Sequence, residues 1–311
     1  MSARVIFMGT PVFATAVLQT LIDEGYNVAA VLTQPDKPVG RLQKMVPTPV
    51  KTLANSFGIK VLQPVKIKEA VDEILSFQPD LIVTCAYGQM LPKRLLDTPP
   101  LGCINVHASL LPKYRGGAPI HKAVIDGETK TGISMMKMAV KMDAGPVFAQ
   151  REVPILPDDT TEIIHDRLME CAILCIKHDL RQVIEKRAVF IEQDESKVSF
   201  AYNITSEDEK IDFDKSGRMI YNQIRGLISW PTSHFVIDGK KCKIHQARFV
   251  EGNHDHKKPV FVGYDQQALV LAVNDGWIYI RELQLEGKNK TRAADFYNGI
   301  GKNWIGKEVD V

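Results

Sequence analysis

The sequence has no apolar run approaching the ~18 residues that a membrane helix requires, so a membrane is not among the expected partners. Only four apolar residues separate Met1-Ser2-Ala3-Arg4 from Gly9-Thr10-Pro11, too few for a signal peptide. Cysteine is sparse: Cys85, Cys103, Cys171, Cys175 and Cys242 are odd in number, and no Cys-x-x-Cys pair occurs. Cys171 and Cys175 stand one helical turn apart, as core-packing residues do. A disulfide framework is therefore not expected, and a reducing, cytoplasmic location is. There is no Gly-x-Gly-x-x-Gly fingerprint, which argues against a nicotinamide enzyme, and no Gly-x-Ser-x-Gly elbow, which argues against a serine hydrolase. Internal repeats and low-complexity tracts are also missing. What remains is an ordinary globular composition, 45% hydrophobic and 24% charged, in 311 residues. That length suggests two domains, each large enough to bury a core without metals or disulfides.

Charge is nearly balanced over the chain, with 39 basic and 37 acidic residues, but not locally. Residues 34–68 hold Lys37, Arg41, Lys44, Lys51, Lys60, Lys66 and Lys68 against Asp36 alone. A basic patch on a body of opposite net sign suits a polyanionic partner; a solvated lysine-rich face is the plainer alternative. Two weaker clusters follow, Lys240, Lys241 and Lys243 with Lys257 and Lys258, then Lys288, Lys290 and Arg292.

Short apolar runs at residues 5–8, 28–32, 81–86 and 103–107 read as buried strands. Helical patterns lie between them, at 12–24, at 48–57 with Thr48 as N-cap and Pro49 at the first helical position, and at 69–77. Strands alternating with helices predict an α/β fold: a Rossmann-like, mostly parallel sheet with helices on both faces. Residues 132–138 read as strand-like and 161–187 as one long helix. Residues 190–209 are polar without an apolar stripe and read as a linker between a catalytic domain, 1–189, and a second domain, 210–311. In that second domain a helix at 216–227 precedes five short strands with Asp238-Gly239 and Asn274-Asp275-Gly276 turns, which predicts a small OB-like β-barrel.

The turn at Gly9-Thr10-Pro11 follows a strand and opens a helix, a position that often binds phosphate or a cofactor. More informative is Asn105-Val106-His107-Ala108-Ser109-Leu110-Leu111-Pro112, directly after a buried strand. Alternation puts Asn105 and His107 on one side of that strand. Ligands of open α/β sheets sit at the carboxyl ends of strands, so an amide and an imidazole there can grip a developing oxyanion. A carboxylate is needed to orient and charge the ring, and Asp143, in the turn Met142-Asp143-Ala144-Gly145-Pro146, is the candidate. An Asx turn is its plain alternative. His254-Asp255-His256 sits in a polar loop without a further ligand cluster, so no metal is expected.

Asn105-Val106-His107, Ser109-Leu110-Leu111-Pro112 and Asp143 together resemble the signature of the folate-dependent formyltransferases. Gly9-Thr10-Pro11-x-Phe13, Gln34-Pro35-Asp36-Lys37-Pro38-x-Gly40-Arg41, Pro47-x-Pro49-Val50-Lys51 and Trp230-Pro231 extend the resemblance along nearly the whole chain, to the branch of that family whose acceptor is initiator methionyl-tRNA. Ala108 stands where Gly or Pro is frequent. The resemblance implies 10-formyltetrahydrofolate as formyl donor, Asn105 and protonated His107 as oxyanion donors, and Asp143 as the partner that keeps His107 charged. It further implies a folate pocket shaped by Ser109, Leu110, Leu111 and Pro112. Residues 34–50 resemble an inserted loop that engages the tRNA acceptor end, with Arg41 as its key residue and Lys37, Lys44 and Lys51 beside it. Such a loop is expected to order on RNA. Lys240, Lys241 and Lys243 would meet the tRNA backbone. Formyl transfer to a small amine, such as glycinamide ribonucleotide or an aminosugar nucleotide, shares the same catalytic set. A non-catalytic RNA-binding protein would leave Asn105, His107 and Asp143 unexplained. Nothing in the sequence demands more than a monomer.

Overall fold

The computed structural model describes residues 3–40 and 43–310. The chain forms two compact units, and neither is one continuous segment. The first comprises the chain through Pro119, Lys130–Pro154 and His165–Tyr202; the second comprises Ile120–Thr129, Ile155–Ile164 and the chain from Asn203 onward. The expected division at 189, with a linker at 190–209, therefore differs from the one observed. Residues 190–202 fall in the first unit, for reasons of hydrogen bonding given below. Residues 120–129 and 155–164 join the second because the buried Arg225 guanidinium collects the carbonyls of Val124 and Asp159, and Thr161 Oγ1 donates to Gly226 O.

In the first unit the apolar runs become strands β1 (Arg4–Gly9), β2 (Asn27–Leu32), β5 (Val61–Leu62), β6 (Leu81–Cys85) and β7 (Cys103–His107), with β3 (Lys37–Val39) and β4 (Lys44–Val46) forming a separate hairpin. Two further strands, β8 (Lys130–Lys137) and β9 (Val147–Pro154), complete a sheet of order β5-β2-β1-β6-β7-β8-β9. Pairings from β5 to β7 are parallel, and β8 and β9 run antiparallel. All five residues of β6 are buried, as a strand covered on both faces requires. Ile6, Met8, Ala30, Leu32 and Ile82 pack on one face with Val71, Ile74, Leu95 and Leu96. The Val12–Asp23 helix, whose Ala14, Val17, Leu18 and Leu21 are buried, lies against β1, β2 and β6 and covers the opposite face. From β1 the chain goes to β2 on one side and later to β6 on the other, so the direction of winding switches between β1 and β6. Crevices of doubly wound sheets lie at that point, at the carboxyl ends of the strands.

Three local expectations change. The helix over 161–187 is two helices, Thr161–His178 and Leu180–Ile184. Asp179 between them turns its carboxylate onto Arg151 of β9, with bonds of 2.8 and 3.1 Å. Strand β9 is partly exposed, and its apolar start, Val147-Phe148-Ala149, gives way to Gln150-Arg151-Glu152, so the sequence does not announce it. Within the expected inserted loop, 34–50, the described residues include a short hairpin in which Lys37 pairs with Val46 and Val39 with Lys44 across β3–β4.

The second unit is antiparallel. Strands β10 (His234–Ile237), β11 (Lys240–Glu251), β12 (Val260–Asp265), β13 (Ala268–Val273) and β14 (Gly276–Leu285) assemble in the order β10-β11-β14-β13-β12, and β15 (Thr291–Arg292) pairs with β14. Near the C-terminus, Glu308 bridges Val260 of β12 and Asp310 bridges Val236 of β10. The two edges of the sheet are thereby joined, which removes unpaired edge groups as barrel closure does. Phe235, Phe261, Phe296 and Trp304 meet at ring separations of 4.7 to 6.0 Å inside it. The Gly217–Leu227 helix starts on Ser216, whose hydroxyl accepts from Met219 N, and adds Ile220, Tyr221 and Ile224 to this core. No helix among the described residues is long and apolar enough to cross a membrane.

Ile82 is fully buried at the centre of the first sheet. Ile82→Ala is expected to lower the free energy of unfolding by about 2–5 kcal/mol in a urea titration followed by circular dichroism. A loss below about 1 kcal/mol would show that the sheet does not depend on this layer.

Candidate active site

Asn105 and His107 lie at the carboxyl end of β7, where the pleat turns both to the same side. Thr84 of β6 is in register with Asn105, and its Oγ1 donates to Asn105 Oδ1 at 2.8 Å. That bond has a directional consequence. With the carbonyl oxygen held by Thr84, the Nδ2 group is the amide's open end, and it has no partner among the described residues. Sequence reasoning does not single out Thr84. A single hydroxyl inside the apolar run Leu-Ile-Val-Thr-Cys, level with Asn105 across a parallel pairing, is the signal that could have done so.

His107 is 6% exposed and has a fixed tautomer. Its Nε2 is 2.9 Å from the carbonyl oxygen of Tyr114, which can only accept, so Nε2 carries a proton. Nδ1 faces Asp143 Oδ2 at 3.8 Å, within ion-pair range but beyond hydrogen-bond length. The sequence assigns the carboxylate to orienting the ring; in the structure the backbone carbonyl makes the orienting bond, and Asp143 supplies a neighbouring negative charge. Asp143 Oδ2 itself accepts from Gly116 N at 2.9 Å. Asn105, His107 and Asp143 thus share one side of the strand end, with Nδ2, Nδ1 and Oδ1 free of hydrogen bonds among the described residues. Such a set can donate to an oxygen that gains charge and accept a proton beside it.

The residues expected to line a folate pocket fill two roles. The Ser109 side chain is fully buried, and its hydroxyl donates to Lys113 O at 2.6 Å. Leu111 is buried; its N–H donates to Ser134 Oγ, and its carbonyl accepts from Gln150 Nε2. These two residues hold the loop's shape. Leu110 and Pro112 are half-buried and present apolar surface. Cys85 and Cys103, on the two neighbouring strands, offer no nucleophile: burial pushes both thiols up, Cys103 to about 12.

The expected tRNA residues also separate. Lys37 and Lys44 are exposed on the β3–β4 hairpin. Arg41 lies outside the described residues. Lys51 is committed to an ion pair, with Nζ 2.6 Å from Asp36 Oδ2. The Lys51 ammonium, helped by the Gln63 amide, holds the Asp36 carboxyl below the usual range. Lys240 and Lys241 are exposed at the start of β11, whereas Lys243 Nζ donates to Pro231 O at 3.2 Å. His254 is engaged with the backbone, its Nε2 donating to Val273 O at 2.7 Å. No group of three or more His, Cys, Asp or Glu side chains is placed to hold a metal among the described residues.

Comparison with known proteins gives concordant results. Residues 3–175 match the sequence profile described as formyl transferase, and residues 203–301 the profile described as formyl transferase, C-terminal domain. A methionyl-tRNA formyltransferase of Geobacillus sp. (strain WCH70) is 47% identical over 301 residues, spanning 96% of this chain and 95% of that protein. A methionyl-tRNA formyltransferase of Staphylococcus aureus (strain MW2) is 44% identical over 309 residues, spanning 98% and 99%. Among solved structures, an N-formyltransferase from Helicobacter canadensis in complex with folinic acid and dTDP-3-aminofucose aligns with a TM-score of 0.66 at 18% identity, covering 94% of this chain and 100% of that one. At that identity the fold is what is shared.

Thr84→Val keeps the side-chain shape and removes the hydroxyl. It is expected to leave the thermal midpoint within a few degrees, yet to lower turnover at this site about tenfold, while Thr84→Ser retains most of it. Equal turnover in both variants would mean that the Asn105 amide is oriented by something else.

Proposed function

The chain belongs to the formyl transferase family, and on that premise we propose that it moves the formyl group of 10-formyltetrahydrofolate to the α-amine of methionine on initiator tRNA. One observation carries the choice of acceptor: identity of 44–47% to methionyl-tRNA formyltransferases runs through both units, not through the catalytic unit alone. A small amine is the second reading. The Helicobacter canadensis enzyme, solved with an aminosugar nucleotide, shares the fold, so fold does not separate the acceptors; sequence identity favours tRNA. A tRNA acceptor also fits the cytoplasm, where translation starts, and a site built within one unit supports a monomer as the working form.

Formyl transferases draw on folate-derived donors, and the chemistry at this site follows from charge. The amine nitrogen bonds to the formyl carbon, and negative charge gathers on the formyl oxygen. Asn105 Nδ2 and the Nδ1–H of the His107 imidazolium donate to that oxygen; both are free of hydrogen bonds among the described residues. Nε2 stays on the Tyr114 carbonyl, so the ring does not turn as the charge forms. Asp143 offsets the imidazolium charge from 3.8 Å, and its Oδ1 accepts the amine's proton through a water. The oxyanion then re-forms the carbonyl, the bond from the formyl carbon to N10 breaks, and N10 takes the proton that Asp143 had accepted, returning the carboxylate to its starting state. Donors fixed before the charge develops require no reorganisation when it appears. Leu110 and Pro112 are the apolar residues offered to the folate, while Ser109 and Leu111 hold the loop that presents them. Phosphate contacts fall to Lys37 and Lys44 on the hairpin, to Arg41 by resemblance, and to Lys240 and Lys241 on β11. Lys51 and Lys243, bound elsewhere, are secondary.

The direct test uses purified protein, labelled 10-formyltetrahydrofolate, and charged and uncharged initiator tRNA. Label should appear only on the charged species. Asn105→Ala and His107→Ala should each lower kcat by about 10²–10³ while tRNA affinity stays within a few-fold. Near-normal turnover in either would reject the assigned role.

The hairpin has its own test. Replacing Lys37 and Lys44 by Ala should flatten the dependence of log affinity for tRNA on log salt by about 0.7–0.9 for each phosphate that is no longer neutralised. Lys51→Ala should change that slope least. An unchanged slope in the double variant would remove the hairpin from the tRNA interface.

A further inference from the structure

We propose that residues 191–201, read from sequence as part of a linker, form a strap that fixes the surroundings of His107, with Gln193 and Ser199 as positioning residues. Its kinetic consequence rests on the formyl-transfer reading; its structural consequence does not.

The starting observation is backbone strain. Two non-glycine residues in the left-handed region flank His107: Tyr114 (φ 61°), whose carbonyl receives Nε2, and Asp143 (φ 48°), whose carboxylate faces Nδ1. L-residues adopt that region rarely, and they persist there when the surroundings over-determine them. For both residues the surroundings include the strap. Tyr114 N donates to Ser199 Oγ at 3.0 Å, and the next residue is locked to the strap by paired backbone bonds, Arg115 N to Ser199 O at 2.9 Å and Ala201 N to Arg115 O at 2.7 Å. Gln193 Nε2 donates to Asp143 O at 2.8 Å and to Gly145 O at 2.7 Å.

The same Gln193 amide ties the two loops together. Its Oε1 accepts from Arg115 Nε at 3.1 Å and Nη2 at 2.8 Å. Arg115 is fully buried, and Glu195 of the strap, at 2.7 Å, supplies the opposite charge. A β-bridge between Val147 and Ile191 anchors the start of the strap. At its other end the approach is close enough to require glycine: at Gly116 (φ +125°) a Cβ would stand 2.6 Å from Ala201 O. Gly116 N then reaches Asp143 Oδ2, so the strap meets Asp143 directly at its backbone carbonyl, through Gln193, and its carboxylate only indirectly, through Gly116. Surface packing alone would need none of these polar bonds. Those to Tyr114, Arg115 and Asp143 terminate on a residue that touches His107 or on the neighbour of one.

Gln193→Met keeps length and loses all four side-chain bonds; Ser199→Ala loses the hydroxyl, and Ser199→Thr keeps it. The expected result is a fall in kcat of about ten- to a hundredfold in Gln193→Met and Ser199→Ala, with KM for folate and tRNA within twofold, and recovery of kcat in Ser199→Thr. A purely structural role would lower the thermal midpoint and the active fraction without separating kcat from KM, or Ser199→Ala from Ser199→Thr. Amide hydrogen exchange at Gly116 is read in parallel, because it reports the Asp143 contact whatever the reaction. It should speed at least tenfold in Gln193→Met. Wild-type-like exchange at Gly116 overturns the strap, as does unchanged kcat in these variants when the wild-type protein is active. Faster exchange in a chain whose wild-type form transfers no formyl group sustains the strap and rejects the functional reading instead. Should Gln193→Met fail to fold, the Ser199 pair decides the matter by the same readouts.

Discussion

A histidine has two ring nitrogens, and this fold commits one of them to a backbone carbonyl. The 2.9 Å bond from His107 Nε2 to Tyr114 O fixes the ring's orientation and tautomer before any ligand arrives. On the proposed mechanism Nδ1 donates as well, which a ring already donating through Nε2 does only as the imidazolium, a form that a neighbouring negative group favours. Asp143 Oδ2 stands beside Nδ1 at 3.8 Å, within ion-pair range and beyond hydrogen-bond length. Tyr114 offers that carbonyl from a left-handed backbone, φ 61°, a conformation that persists only where its surroundings restrain it.

The chemically loud part of the candidate site can be nominated from the sequence, and the quiet part is hidden. Asn105 and His107 are visible because strand alternation converts a two-residue spacing into a shared direction. Asp143 is visible because a turn residue with a carboxylate follows a strand. Thr84, Ser199 and Gln193 are not. Each contributes a neutral hydroxyl or amide, and each acts across 21 to 85 residues of sequence separation, where no local pattern exists. The strap reads as a linker for a related reason. A polar stretch without an apolar stripe looks solvated, yet polar groups can be spent on backbone carbonyls instead of water. The fold is more readable than its boundaries. Buried strands announce themselves by continuous apolar runs, whereas β9, half-exposed, and the placement of residues 120–129 and 155–164 depend on long-range partners such as Arg225.

Charge shows the same divide between type and use. Residues 34–68 are strongly basic, and composition alone treats each lysine alike. In the structure Lys51 is already neutralised by Asp36, while Lys37 and Lys44 stand exposed on a hairpin. An attraction for phosphate belongs to charges that are unpaired and projecting, so the informative quantity is the number left free after internal pairing, which sequence does not supply.

The precision of the site has its source in strand register. Thr84 reaches Asn105 because β6 and β7 pair in parallel with those two residues level, and Ser134 of β8 is level with His107 on the other side. Ser134 in turn donates to Ser109 O and accepts from Leu111 N, so the loop after β7 is fastened to the same sheet that aims the amide and the ring. A one-residue slip would set Val83 or Cys85 against Asn105, neither with a hydroxyl to donate to its carbonyl, and would turn the donors toward the opposite face. Such a slip is opposed by the apolar layers on both faces of β6, which cannot shift without exposing Ile82 or Val83. The burial that makes the sheet stable is therefore also what points Asn105 Nδ2 outward, and the core and the site cannot be altered independently along this strand pair.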